Sequence, residues 1–158
     1  MANLFLASEI LEMNISEEKN GAIFYQTLSE TAKSKKVREV AAEIAKQEQM
    51  HEKRFMELLE EVEERHPQES YPGEFDAYVN NLLRNKMFPD EKAARTKAQN
   101  KSDKEAVEFA LNTEHATLNL LNELKKHVDP KELKVINLTI EEEKDHINRL
   151  TDLLKELE

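Results

Sequence analysis

The chain has 158 residues, enough for one domain with a real core and too short for two comfortable ones. Two glycines and four prolines are too few for a turn-rich sheet protein and point to long helices. A formal net charge of −10 argues against nucleic acid and anionic membrane as partners, and the absence of cysteine excludes disulfides, thiolate zinc and iron–sulfur ligation.

The N-terminal stretch from Met1 to Asn14 has no basic region and only a short apolar run, so it does not read as a signal peptide. No run of about eighteen apolar residues is present, so no membrane span is expected. A reducing cytoplasm is the expected location.

A first helix is predicted from Ser8 to Ala32, where Leu11, Ile15, Glu18, Ala22 and Tyr25 recur at spacings of three and four. A weak break at Lys33–Lys36 leads into a second helix ending near Arg65. Its stripe is Val37, Ala41, Ile44, Glu48, His51, Phe55, Leu58 and Val62. The segment His66 to Gly73, with two prolines and a glycine, is the clearest loop. A short amphipathic helix through Phe75, Val79 and Leu82 follows, then a mixed stretch from Lys86 to Lys101 with Pro89 as a breaker. Ser102 and Glu105 form a capping box. They open a third helix through Val107, Leu111, Glu114, Leu118 and Leu121 to about His127. Asp129-Pro130 signals the fourth, which carries Ile136, Ile140, Glu143, Ile147, Leu150, Leu154 and Leu157, with His146 and Leu153 on its flank.

The expected architecture is all-α: an antiparallel four-helix bundle of two hairpins, 8–65 and 102–158, joined by a long crossover over 66–101 that contains a short helix. The whole of 1–158 reads as one domain.

Three coincidences mark a metal site. Glu48 and His51 interrupt a stripe that otherwise faces the core, and burying an unpaired carboxylate costs several kcal/mol, roughly. The pattern recurs: Glu143 and His146 repeat the spacing of Glu48 and His51, which puts each pair on one helix face. A single stripe Glu precedes each pair, Glu18 by 30 residues and Glu114 by 29, so the chain looks like two copies of one hairpin. The depths also match, because at 1.5 Å per residue all four glutamates lie roughly 21–24 Å from their turns. Four carboxylates balance two divalent cations, and imidazole plus carboxylate suits Fe, Mn or Zn. Without metal the cluster should hold protons, with raised carboxyl pKa values.

At these residues the chain resembles the rubrerythrin-like, ferritin-like di-iron proteins, in which two helices supply Glu and two supply Glu-x-x-His. Glu18 with Tyr25, Glu48 with His51, Glu114, and Glu143 with His146 match the motifs of the four helices in turn. The resemblance implies two metal ions, iron foremost, on Glu18, Glu48, His51, Glu114, Glu143 and His146. It implies a reaction with hydrogen peroxide or O2, and a Tyr25 hydroxyl bonded to a ligand carboxylate across the bundle. An ordinary core tyrosine with its hydroxyl at the rim is an equal reading of Tyr25. Three departures stand out: Leu121 where an aromatic is usual, Thr117 where rubrerythrin has a further ligand Glu, and no cysteine for a rubredoxin-type centre. Electrons would therefore come from a separate protein. A ferroxidase for iron storage and a non-catalytic metal-stabilised bundle are the other readings; a homodimer is the expected assembly. His66, His115 and His127 lie off the stripes or near helix ends and read as solvated or capping.

Overall fold

A computed structural model describes residues 3–65, 87–99 and 101–158. Among these residues the chain forms α1 (Leu4–Thr31), α2 (Lys35–Glu63), α3 (Glu91–Gln99), α4 (Asp103–Lys125) and α5 (Pro130–Leu157), with no strand. The fold is a ferritin-like helical bundle. The helix expected through Phe75, Val79 and Leu82, the loop 66–73 and His66 lie outside the described residues.

The helix ends follow local chemistry. α1 starts at Leu4, four residues ahead of the Ser8 expected from periodicity, because the Asn3 side-chain oxygen accepts from the Leu6 N–H at 3.1 Å. Ala32 turns extended and Ser34 caps α2, its hydroxyl accepting from the Val37 N–H at 3.3 Å. The stretch read as mixed, with Pro89 as a breaker, contains α3. Pro89 stops nothing here because it precedes Asp90, whose carboxylate accepts from the Ala93 N–H at 2.7 Å and opens the helix. Ser102 caps α4 as expected, accepting from the Glu105 N–H at 3.2 Å, but Glu105 takes the Ser102 hydroxyl rather than a backbone N–H. Asp129 stands at the cap position of α5 with Pro130 behind it, yet makes no capping bond. Its carboxylate instead accepts from Arg65 at 2.8 Å.

α1 packs along α2, α4 along α5, and the hairpins meet through α1 with α4 and α2 with α5, while α3 lies against α1. The four long helices run antiparallel to the neighbours they pack against, while α3 runs the same way as α1. At one end Asp103, the first residue of α4, accepts from the Lys33 and Ser34 N–H groups at 3.0 and 2.7 Å, and Lys36 reaches Glu156 at 2.6 Å. At the other end Arg65 pairs with Asp129 and with the buried Glu132.

The interior falls into two apolar clusters. One holds Phe24, Tyr25, Ile44, Phe88, Val107 and Leu150, the other Ile10, Leu11, Phe55, Leu58, Leu121 and Ile136, among others. Each large aliphatic or aromatic side chain contributes about 1.5–3 kcal/mol on burial. Between the two clusters lies a band of polar side chains, and that band holds the site.

Candidate metal centre

Glu18, Glu48, His51, Glu114, Glu143 and His146 are all buried, at 4 % exposure or less. They come from four helices. In α1 and α4 a single Glu takes the inward position; in α2 and α5 the three-residue spacing aims Glu and His into the same space. All six residues singled out in the sequence are brought together.

The donor atoms divide into two overlapping groups. Glu18, Glu48, His51 and Glu143 offer ligand atoms within 4.8 Å of one another, and so do Glu48, Glu114, Glu143 and His146. Glu48 and Glu143 belong to both. His51 Nδ1 lies 3.4 Å from Glu48 Oε2 and 2.9 Å from Glu143 Oε1. His146 Nδ1 lies 3.8 Å from Glu48 Oε1 and 3.0 Å from Glu143 Oε2. Each shared carboxylate therefore turns one oxygen toward each imidazole. Glu18 Oε2 stands 3.6 Å from His51 Nδ1, and Glu114 Oε1 stands 3.5 Å from His146 Nδ1, so each end has one carboxylate of its own. The imidazole rings stack with centroids 5.7 Å apart.

The fit to cations shows in the inward-facing atoms. Glu18 Oε1, Glu48 Oε2, Glu114 Oε2, Glu143 Oε1 and His51 Nδ1 are buried without a hydrogen-bond partner among the described residues. So many orphaned acceptors in one cavity are costly unless positive charge sits among them. The donor set, carboxylate oxygen plus imidazole nitrogen, suits first-row divalent metals. The arrangement fits a two-metal site.

Without a cation the same groups must hold protons. Burial pushes Glu18 and Glu48 well above the usual carboxyl range, and the charge of Glu143 adds to it. Burial and Glu143 raise Glu114 to about 7. Burial alone would lower both imidazoles, but the carboxylates of Glu143 and Glu48 against the ring raise His51 to about 11, and those of Glu114 and Glu143 raise His146 to about 11. Glu143 goes the other way: burial opposes its charge, but Glu114 and the two imidazoles, His146 and His51, close against it hold it well below the ordinary value.

Three partners outside the six complete the setting. The Tyr25 hydroxyl donates to Glu114 Oε1 at 2.6 Å, and burial, with the Glu114 charge, pushes its phenol well up, so it remains a donor. His51 Nε2 meets Glu142 Oε2 at 3.0 Å, and Arg54 holds the other Glu142 oxygen at 3.0 Å and Thr139 at 2.8 Å. His146 Nε2 meets the Gln47 side-chain oxygen. The outer nitrogen of each ring is thus tied back, which aims Nδ1 inward.

Phe24 stacks against Tyr25, Phe88 and Phe109 at centroid distances of 5.1–5.7 Å beside this band. Glu17 accepts from the Met87 and Phe88 N–H groups and Asn20 donates to the Phe88 carbonyl, which seats the crossover end over α1.

The rubrerythrin family model matches residues 9–103, well over half of the chain. The chain belongs to the rubrerythrin family. No curated protein and no solved structure matches it. The family match takes in Glu18, Glu48 and His51 and ends before Glu114, Glu143 and His146, which join the site through the fold. With its buried Glu/His cluster, this family member has the makings of a di-iron carboxylate protein.

Gln47, Arg54 and Glu142 were missed in the sequence reading. The available signal was that Gln47 and Glu142 each immediately precede the Glu of a Glu-x-x-His pair. Asn14, fully buried one turn from Glu18 with its amide unpartnered among the described residues, was also missed. Nothing in the structure explains it. His115 is exposed and His127 half-buried beside Glu123, 4.0 Å away.

Proposed function

We propose that this rubrerythrin-family chain holds two iron ions and reacts with hydrogen peroxide or O2, drawing electrons from a separate protein. One ion would be held by Glu18, Glu48, His51 and Glu143, the other by Glu48, Glu114, Glu143 and His146. The observation that supports this most is that Glu48 and Glu143 each present one oxygen to either imidazole, which is what shared, bridging ligands require. Two Fe(II) ions held this way would supply the two electrons that peroxide or O2 takes up. Tyr25 keeps a proton at its phenolic oxygen, 2.6 Å from Glu114, where it fixes that carboxylate. The apolar clusters on both sides of the band keep bulk water from the reacting groups. The absence of cysteine leaves no thiolate-ligated electron relay in these residues, which supports a donor outside them.

A ferroxidase that oxidises Fe(II) for storage is the second reading. It is favoured by Thr117, which stands where a fully rubrerythrin-type peroxidase has a further carboxylate.

Anaerobic iron loading tests the assignment. The full chain should hold two irons and show a rapid spectral change on adding peroxide, while a Glu48→Ala, Glu143→Ala double variant should hold none. Full iron content in that variant would overturn the ligand assignment. Assemblies that accumulate many irons per chain would favour the storage reading, and redox-silent zinc in the purified protein a non-catalytic one.

A further inference from the structure

The two hairpins repeat one another, and the repeat breaks at two positions that touch the site. The residue before each Glu-x-x-His pair crosses to the other hairpin's histidine: Glu142, before Glu143, meets His51 Nε2 at 3.0 Å, and Gln47, before Glu48, meets His146 Nε2. One partner is a carboxylate and the other a neutral amide. The residue seven places after each single Glu also differs. Tyr25 follows Glu18 at that spacing and donates across the bundle to Glu114 Oε1 at 2.6 Å. Its counterpart after Glu114 is Leu121, which has no proton to offer Glu18.

Both breaks act in one direction. A carboxylate accepting the outer N–H of a ligating imidazole makes the inner nitrogen a stronger donor and fixes its tautomer, and such partners alter metal affinity about 10–100-fold. An amide oxygen does the same more weakly. The phenol on Glu114 Oε1, the oxygen 3.5 Å from His146 Nδ1, draws electron density from it, while Leu121 offers Glu18 no such bond. Arg54 offsets the net charge of Glu142 but leaves its second oxygen on His51, so the effect is carried by the short hydrogen bond and not by long-range charge. The counterpart of Arg54 in the second hairpin, Arg149, pairs with the exposed Glu43 and does nothing comparable for Gln47.

We propose that the two metal positions are unequal, and that Glu142, as a positioning residue, makes the one at Glu18 and His51 the tighter, so it fills first. This inference rests on the two-metal reading above and adds an order to it. The test is a Co(II) titration of the full chain after chelator treatment, with anomalous scattering from crystals grown at one equivalent. The expected result is two binding steps about 10–100-fold apart, with the first Co(II) beside His51. Glu142→Gln should weaken the first step toward the second. Gln47→Glu should tighten the second toward the first. Both changes keep side-chain shape, and helical circular dichroism confirms folding. Co(II) spread evenly at one equivalent, or lodged beside His146, would overturn the inference, as would steps left unmoved in both variants. A chain that binds no Co(II) would remove the two-metal reading itself, and the order with it.

Discussion

At the scale of single residues, the site is an arrangement of compensations. Burying one carboxylate in a dry interior is costly, and here four lie together, with two imidazoles and the Tyr25 hydroxyl among their partners. Tyr25 is the clearest supporting side chain, because its hydroxyl reaches Glu114 from another helix. Tyr25→Phe removes that bond and leaves the ring in place. The expected outcome is a folded protein less stable by about 1.5–3 kcal/mol, the range for a hydrogen bond to a charged group. Urea unfolding of both proteins measures it, and an unchanged midpoint would mean the hydroxyl does no more than fill the rim.

At the scale of elements, positions come from helix ends as much as from helix faces. The two hairpins are tied at one end because Asp103 opens α4 and also accepts from the N–H groups of Lys33 and Ser34, in the turn between α1 and α2. This sets the height of Glu114 against that of Glu18. Asp103→Ala should cost about 1–3 kcal/mol in thermal or urea unfolding, more than an ordinary helix-cap loss of about 1 kcal/mol. It should also weaken metal binding, since the carboxylates would no longer be held level. If only stability fell and metal affinity held, the register would be set elsewhere, for instance by Arg65 with Asp129 and Glu132 at the far end.

At the scale of the whole molecule, metal and protons compete for the same cluster. His51 and His146, raised from the ordinary 6.5 to about 11, stabilise the metal-free chain fully below about pH 6.5, and that contribution is lost as pH rises through about 11. Glu18 and Glu48, raised above 4.5, act in the same sense, their contribution fading as pH climbs. Glu143, held below 4.5, contributes above that value and loses its share only in acid. The metal-free chain should therefore weaken from about pH 6 to about pH 8, while metal affinity rises because fewer protons must be displaced. An ion present at 100 times its dissociation constant adds about 2.7 kcal/mol, or roughly 5–10 °C in Tm for a chain of this size. Melting curves with and without a chelator across that pH range check it. A gap that stayed constant or narrowed toward alkaline pH would contradict the proton competition.

Much of this is legible in the sequence. The spacings of Leu11, Glu18 and Tyr25, and of Val37, Glu48, His51 and Phe55, reported helices with polar residues on buried faces, because a period near 3.6 leaves no other side for them to occupy. The repetition of Glu-x-x-His at matched depth pointed to one shared site, since helix rise per residue is constant. The start of α3 was harder to read, because Pro89 signals a break or a beginning with equal force and only Asp90's bond to Ala93 decided between them. Local pattern thus determined the helices, their inward faces and the six polar residues on them. Which oxygen faces which imidazole, the roles of Glu142 and Gln47, and which carboxylate takes the Tyr25 hydroxyl were decided by the tertiary structure. The contacts of Tyr25, Glu142 and Gln47 join residues 89 to 99 positions apart in the chain, and no periodicity along one helix encodes how its neighbour is rotated against it.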